Sequence, residues 1–308
     1  MRSSVGQAGR VFRVNRRVVV PALLLTSLPW LSGCQATDAV VDYFGPRADP
    51  ALTKLAQSAS ADATALQELD ADAAALRSQQ ADELYAEIDR LCGRNEDGQA
   101  PRSCAVDRDV PARDVPSEDA AHAVHAVLDD AAVATEDQLN HVSSESRALV
   151  TAQAIALEAW TGDDAAEAPE LTKPEIDQAT DLLEWEYEQV YGLDFARSYA
   201  APDQEADIDE RLDVHERRIL QLQKRLEEQG PVPQPAAAYS PTAGELPGDA
   251  DSARAFVDAL AHNDTLKWTD AAAQAAGTAG SDSDAEATNA WRRWLIEVAA
   301  QSHRFHTA

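Results

Sequence analysis

The chain has 308 residues, and its 54 acidic and 26 basic side chains give a formal net charge of −28. Such a charge repels phosphate groups and anionic lipid headgroups, so it excludes nucleic acid as a partner and disfavours electrostatic binding to a membrane surface.

The first 34 residues have the organisation of a secretory signal. Five arginines and no acidic residue come first, and an apolar stretch from Val18 to Trp30 follows. That stretch falls short of the ~20 residues that a membrane-spanning helix needs. Leu31-Ser32-Gly33-Cys34 comes next and resembles the lipobox of bacterial lipoproteins. Arg16-Arg17 leaves twin-arginine export open beside the general secretory route.

The resemblance to a lipobox implies that residues 1–33 are removed and that Cys34 carries a lipid. Two acyl chains on one protein give stable anchoring, whereas a single chain is marginal. The expected location is therefore the extracytoplasmic face of the cell membrane, with the lipid on Cys34 as the contact to that membrane. Residues 34–49 contain Gly45 and Pro46, and we interpret them as a tether.

Cys92 and Cys104 are the two remaining thiols. Exported proteins meet an oxidising environment, in which an even number of cysteines usually pairs. The residues between them include several turn formers, and the spacing is not that of a redox-active Cys-x-x-Cys motif. We predict a structural disulfide.

The composition is rich in Ala, Leu, Glu, Asp, Gln and Arg and favours helix nearly everywhere after the tether. We expect an N-terminal helical region over residues 50–160. Its first part runs from about Pro50 to Cys92 with a bend near Asp70, and its second part starts at Ser117 and breaks at Ser143-Ser144. Residues 161–172 read as a linker.

Four amphipathic segments follow over residues 173–308. They begin near Pro174, Ile208, Ser252 and Asp284, and Gly230 and Pro231 end the second of them. Four helices of this length most readily form a four-helix bundle. The sequence thus predicts an all-α protein with a bundle preceded by an additional helical region.

Three blocks in this part resemble a known family. They are the run from Glu184 to Gly192, then His215-Glu216-Arg217-Arg218, then Ala236 to Tyr239 with Ser252-Ala253-Arg254. Their order and spacing resemble a ferritin-like domain of unknown function from actinobacterial proteins. The resemblance implies a ferritin-like helical bundle over about 173–308 and implies no established activity. Glu184-Trp185 stands where that family usually has Glu-His.

A di-iron centre of the ferritin type needs about four carboxylates and two histidines, usually with Glu-x-x-His on two helices. Glu186, Asp194, His215 and Asp264 are the inward candidates, with Glu184 further round, and Leu212 stands where Glu-x-x-His would require a glutamate. The set is incomplete, so we predict no metal and no cofactor.

Glu186 and His215 are predicted to meet in the core. Glu186 lies between Leu183 and Val190 on an apolar stripe, and His215 falls on the four-three spacing of the next helix. The turn between these helices is expected near residues 199–204, so the two side chains are equally far from it. A buried carboxylate is stabilised by such a partner. The pair is either a lock on helix register or the remnant of a ligand site.

Other chemistry is weakly indicated. His122, His125 and Asp129 share a helical face and could bind zinc or copper, but we favour a solvated face. His303 and His306 lie near the chain end, where we expect fraying. No nucleophile motif or phosphate loop is present in the sequence. We therefore expect a non-enzymatic structural or interaction protein with an envelope protein as partner. The alternative is a ferritin-like metal- or small-molecule-binding protein.

Overall fold

The computed structural model describes residues 45–94, 98, 100–115, 119–162, 164–240, 242–275 and 282–307. Within these residues the chain forms eight α-helices and one short 3₁₀ helix, and it contains no strand. The all-α prediction is confirmed. The signal, Cys34 and most of the tether lie outside the described residues.

The first two helices form an antiparallel hairpin. Helix α1 spans Pro50–Leu66 and helix α2 spans Ala71–Cys92. Asp49 and Asp70 cap their N-termini, and each carboxylate accepts two backbone N–H groups. Such caps satisfy donors that have no partner within the helix. The chain therefore reverses at Asp70, where the sequence predicted only a bend.

Helix α3 spans Ala120–Gln138 and helix α4 spans Arg147–Thr161. The side chain of Asp119 caps α3 by accepting the backbone N–H of His122 at 3.2 Å. Ser117, where the sequence predicted that this part starts, lies outside the described residues. Ser143 and Ser146 occupy the break between the two helices, and their hydroxyl oxygens are 3.1 Å apart.

A disulfide joins Cys92 to Cys104, as the sequence predicted. It ties the last residue of α2 to the 3₁₀ helix at Arg102–Cys104, and both cysteines are buried. Next to it, the Ser103 hydroxyl donates to the Pro46 carbonyl at 2.8 Å. The first described residues, around Pro46, are therefore held against the disulfide loop.

Breaking this disulfide is expected to destabilise the protein by roughly 3 kcal/mol in the chain-entropy model, because the unfolded chain then gains freedom. Mass spectrometry of non-reduced peptides should find Cys92 linked to Cys104. The Cys92→Ser/Cys104→Ser variant should unfold at a lower urea concentration than the unreduced protein. Two alkylatable thiols in the non-reduced protein would contradict the pairing.

The last four helices are α5 at Lys173–Arg197, α6 at Glu205–Glu227, α7 at Ala250–Ala275 and α8 at Asp282–Thr307. Glu175 caps the start of α5, since its carboxylate accepts the backbone N–H of Thr172 at 2.6 Å. Helices α5 and α6 form one hairpin, and α7 and α8 pack against each other as a second pair. Residues 228–249 connect the two pairs and contain no helix among those described.

Helices α5 and α7 approach closely at Gly192. A Cβ added there would lie 3.0 Å from Leu260 Cδ1. A larger residue would require the side chains of Leu260 and Phe256 to shift, which favours a glycine in the middle of this helix despite its cost of roughly 1 kcal/mol. This close contact lies where α5 faces α7.

One hydrophobic core joins the N-terminal and C-terminal helices. Helix α4 packs on α7 and α8. The core includes Leu52 and Leu84 from the first hairpin together with Trp268, Trp291 and Trp294 from the last two helices. Residues 161–172 also enter it, since Ala168 and Leu171 are buried.

Among the described helices, none combines the length and the apolar character that crossing a bilayer would require.

Candidate functional site

The predicted contact between Glu186 and His215 is present at the centre of the last four helices. His215 Nδ1 lies 2.6 Å from Glu186 Oε2. Glu186 is fully buried and His215 is 6% exposed. The pair joins α5 to α6 at the level that the equal distances from the turn required.

Arg218, one turn after His215, links this pair to the other two helices. Its Nη1 donates to Glu186 Oε1 at 3.5 Å and to Asp264 Oδ2 of α7 at 3.1 Å. Its Nη2 donates to α8, at the Val298 carbonyl, Gln301 Oε1 and Ser302 Oγ, over 3.0–3.3 Å. Arg218 is 3% exposed. One guanidinium therefore contacts α5, α7 and α8 from α6.

Two indoles and one hydroxyl complete the hydrogen bonding of the carboxylates. Trp268 Nε1 donates to Glu186 Oε1 at 3.0 Å, and Trp185 Nε1 donates to Asp264 Oδ1 at 2.9 Å. The Ser302 hydroxyl donates to Asp264 Oδ2 at 2.6 Å. Every oxygen of both carboxylates accepts a hydrogen bond, as buried charges require.

The electrostatics of the cluster favour an ionised Asp264. Burial by itself would raise the pKa of this carboxyl, but the charges of His215 and Arg218 and the hydrogen bonds from Ser302 and Trp185 outweigh it. The pKa of Asp264 therefore lies below its ordinary value. The cluster holds two buried carboxylates opposite one permanent cation and one imidazole.

Glu186, His215 and Asp264 also have the chemistry of metal ligands. One donor atom from each lies within 4.8 Å of the others, and all three residues are buried. Nearby on α5, Gln189 is fully buried, and neither atom of its amide has a hydrogen-bond partner among the described residues. Arg218 nevertheless donates to both carboxylates, so a positive group already lies between them.

The remaining ligands considered from the sequence lie elsewhere. Glu184 and Asp194 are exposed, so they contribute nothing to the buried cluster. His122, His125 and Asp129 are also exposed on α3. His303 and His306 lie within α8, close to its C-terminal end.

Sequence reasoning did not assign Arg218, Trp268 or Trp185 to the site. Trp185 stands where the resembled family usually has a histidine, and its indole donates to Asp264. The available signal was the position of Arg218, one turn after His215 on the same face of α6. An arginine on the inward face of α6 predicts a buried acidic partner on a neighbouring helix.

No protein-family model, curated protein or solved structure matches this chain.

Proposed function

We propose that the chain is a lipid-anchored protein of the extracytoplasmic membrane face, with a non-enzymatic structural or interaction role. The position of Arg218 is the observation that supports the non-enzymatic role. Its two terminal nitrogens make five hydrogen bonds within the cluster and contact both buried carboxylates. A catalytic or binding site needs polar groups that remain available to a ligand, whereas these groups are committed to one another.

The lipobox-like sequence before Cys34 supports the anchored location. The disulfide between Cys92 and Cys104 supports export, because such bonds persist in oxidising compartments. The contact of Ser103 with Pro46 also fits a tether that leaves the domain at a fixed point.

Replacing Cys34 with serine is expected to abolish lipid attachment, because the hydroxyl does not replace the thiol as acceptor. Cells grown with labelled palmitate should then contain an unlabelled precursor of higher mass. Cys92→Ser/Cys104→Ser is the control, since it removes the other two cysteines and leaves no unpaired thiol besides Cys34, and it should remain labelled. A processed, labelled Cys34→Ser protein would overturn the proposal of an anchor.

We also propose that α5–α8 form a ferritin-like bundle. Helices α5 and α7 are antiparallel, because residues near the start of α5 contact residues near the end of α7. Gln178 contacts Ala271, and Gly192, later in α5, lies next to Leu260. Helices α6 and α8 are also antiparallel, since Arg211 contacts Phe305 and Arg218 contacts Val298. Two antiparallel pairs joined by one long connection, here residues 228–249, are typical of ferritin-like bundles.

A second buried network supports a structural role for such clusters. Arg77 of α2 donates to Asp62 of α1 at 2.9 Å and to Gln80 at 2.5 Å, and Gln80 donates to the Gln153 carbonyl of α4 at 3.1 Å. Burial raises the pKa of Asp62 and lowers the pKa of Arg77. The charge of each side chain opposes the pKa shift of its partner, but burial outweighs it. An arginine thus joins neighbouring helices in both halves of the molecule.

A metal-binding role is the second candidate, and the grouping of Glu186, His215 and Asp264 favours it. Elemental analysis of the purified full-length chain tests it. A stoichiometric metal that is lost in Glu186→Gln and retained in Glu184→Gln, an exposed glutamate on the same helix, would establish this role. Purified protein that neither contains nor takes up metal would leave the structural role.

A further inference from the structure

Helices α7 and α8 bring two exposed histidines together outside the buried cluster. The rings of His262 and His306 have their centroids 4.9 Å apart, with their planes inclined by 50°. Both side chains are exposed. The helices are fixed at this level by Ser302 and Asp264, whose side chains are hydrogen bonded at 2.6 Å.

This separation is compatible with two imidazoles that bind one metal ion. Zinc–nitrogen bonds of ~2.0–2.1 Å in tetrahedral geometry place two ring centres about 5 Å apart. Imidazole nitrogen suits zinc, copper and nickel, whereas magnesium and calcium prefer oxygen ligands.

We propose that His262 and His306 form a surface site for a divalent transition metal ion of the zinc type, which joins α7 to α8. Water or a third side chain completes the coordination. The strongly acidic chain supports this occupant, because its net charge of −28 raises the local concentration of cations. The site is separate from the Glu186 cluster and does not depend on the anchored or structural role proposed above.

Calorimetric titration tests the site with the full-length chain, purified in detergent without a histidine tag and stripped of metal by EDTA. Zinc chloride alone is the probe. We expect a binding event that weakens by at least about tenfold in His262→Ala and in His306→Ala, since loss of even an outer-shell partner costs 10–100-fold in metal affinity. Both positions are exposed, so circular dichroism should show an unchanged fold in each variant.

Two control variants separate this site from the other candidates. His122→Ala removes an exposed histidine of α3, and Glu184→Gln removes an exposed carboxylate of α5, so neither should change the zinc binding that His262→Ala and His306→Ala weaken. Bound copper provides a second readout, because its electron paramagnetic resonance spectrum should show two imidazole nitrogens in the wild type and one in either variant. Wild-type protein that binds no zinc, or zinc binding unchanged in both variants, would overturn the proposal and leave a contact between two metal-free rings.

Discussion

Replacing Arg218 with methionine is expected to lower the free energy of unfolding by about 3–5 kcal/mol. Methionine fills a similar volume but provides no charge, so Glu186 and Asp264 would remain buried without their shared cation. Ser302 and Gln301 would also lose the donor that joins α8 to the cluster. Thermal unfolding followed by circular dichroism should show a midpoint lower by roughly 10 °C.

Arg217→Met is the matched control, because Arg217 is the neighbouring arginine on α6 and is exposed. Surface substitutions of this kind usually change stability by no more than about 0.5 kcal/mol. Equal midpoints for the two variants would contradict a central role for Arg218.

A combined variant identifies the physical cause. Glu186→Gln and Asp264→Asn added to Arg218→Met remove the charges that methionine left uncompensated, so part of the lost stability should return. Replacing an entire buried ion network is often far less damaging than removing one partner from it. A triple variant less stable than Arg218→Met alone would show that the loss comes from packing and not from uncompensated charge.

The helices were largely predictable because their signals are local. Capping residues, prolines and apolar periodicity lie within a few positions of the ends that they define. The chain reversal at Asp70 was harder to predict. The local sequence is the same for one bent helix and for two antiparallel helices, and the two cases differ only in how the flanking helices pack. That packing depends on contacts such as Ser60 with Tyr85, whose hydroxyl oxygens lie 3.4 Å apart across the α1–α2 hairpin.

The contact between Glu186 and His215 in the buried cluster was predictable because its sequence signals are also local. Glu186 and His215 belong to helices joined by a short turn, so counting from the turn gives their common level. Arg218 and Trp268 reach the cluster from positions whose partners are 46 and 82 residues away in sequence. No periodicity relates such residues, and the long connection at 228–249 leaves the register of α7 undetermined.

A double-mutant cycle of Glu186 and His215 is the second test of the cluster. Glu186→Gln and His215→Gln are each expected to destabilise the protein by about 3–5 kcal/mol, because each leaves a buried polar partner without its complement. The double variant should lose less than the sum of the single variants. A coupling energy of about 0.5–3 kcal/mol is the range for residues in direct contact.

The contact geometry explains why the coupling should be large. His215 Nδ1 and Glu186 Oε2 lie 2.6 Å apart in a region where Glu186 is fully buried, so little solvent screens the interaction. Glu184→Gln paired with His215→Gln is the control cycle, since Glu184 lies on the same helix and is exposed. Urea unfolding of all the variants measures both cycles. Additive effects in the Glu186 cycle would mean that the short contact contributes no specific stability, and the register of α5 against α6 would then depend on apolar packing and on the hydrogen bonds that Arg218 makes.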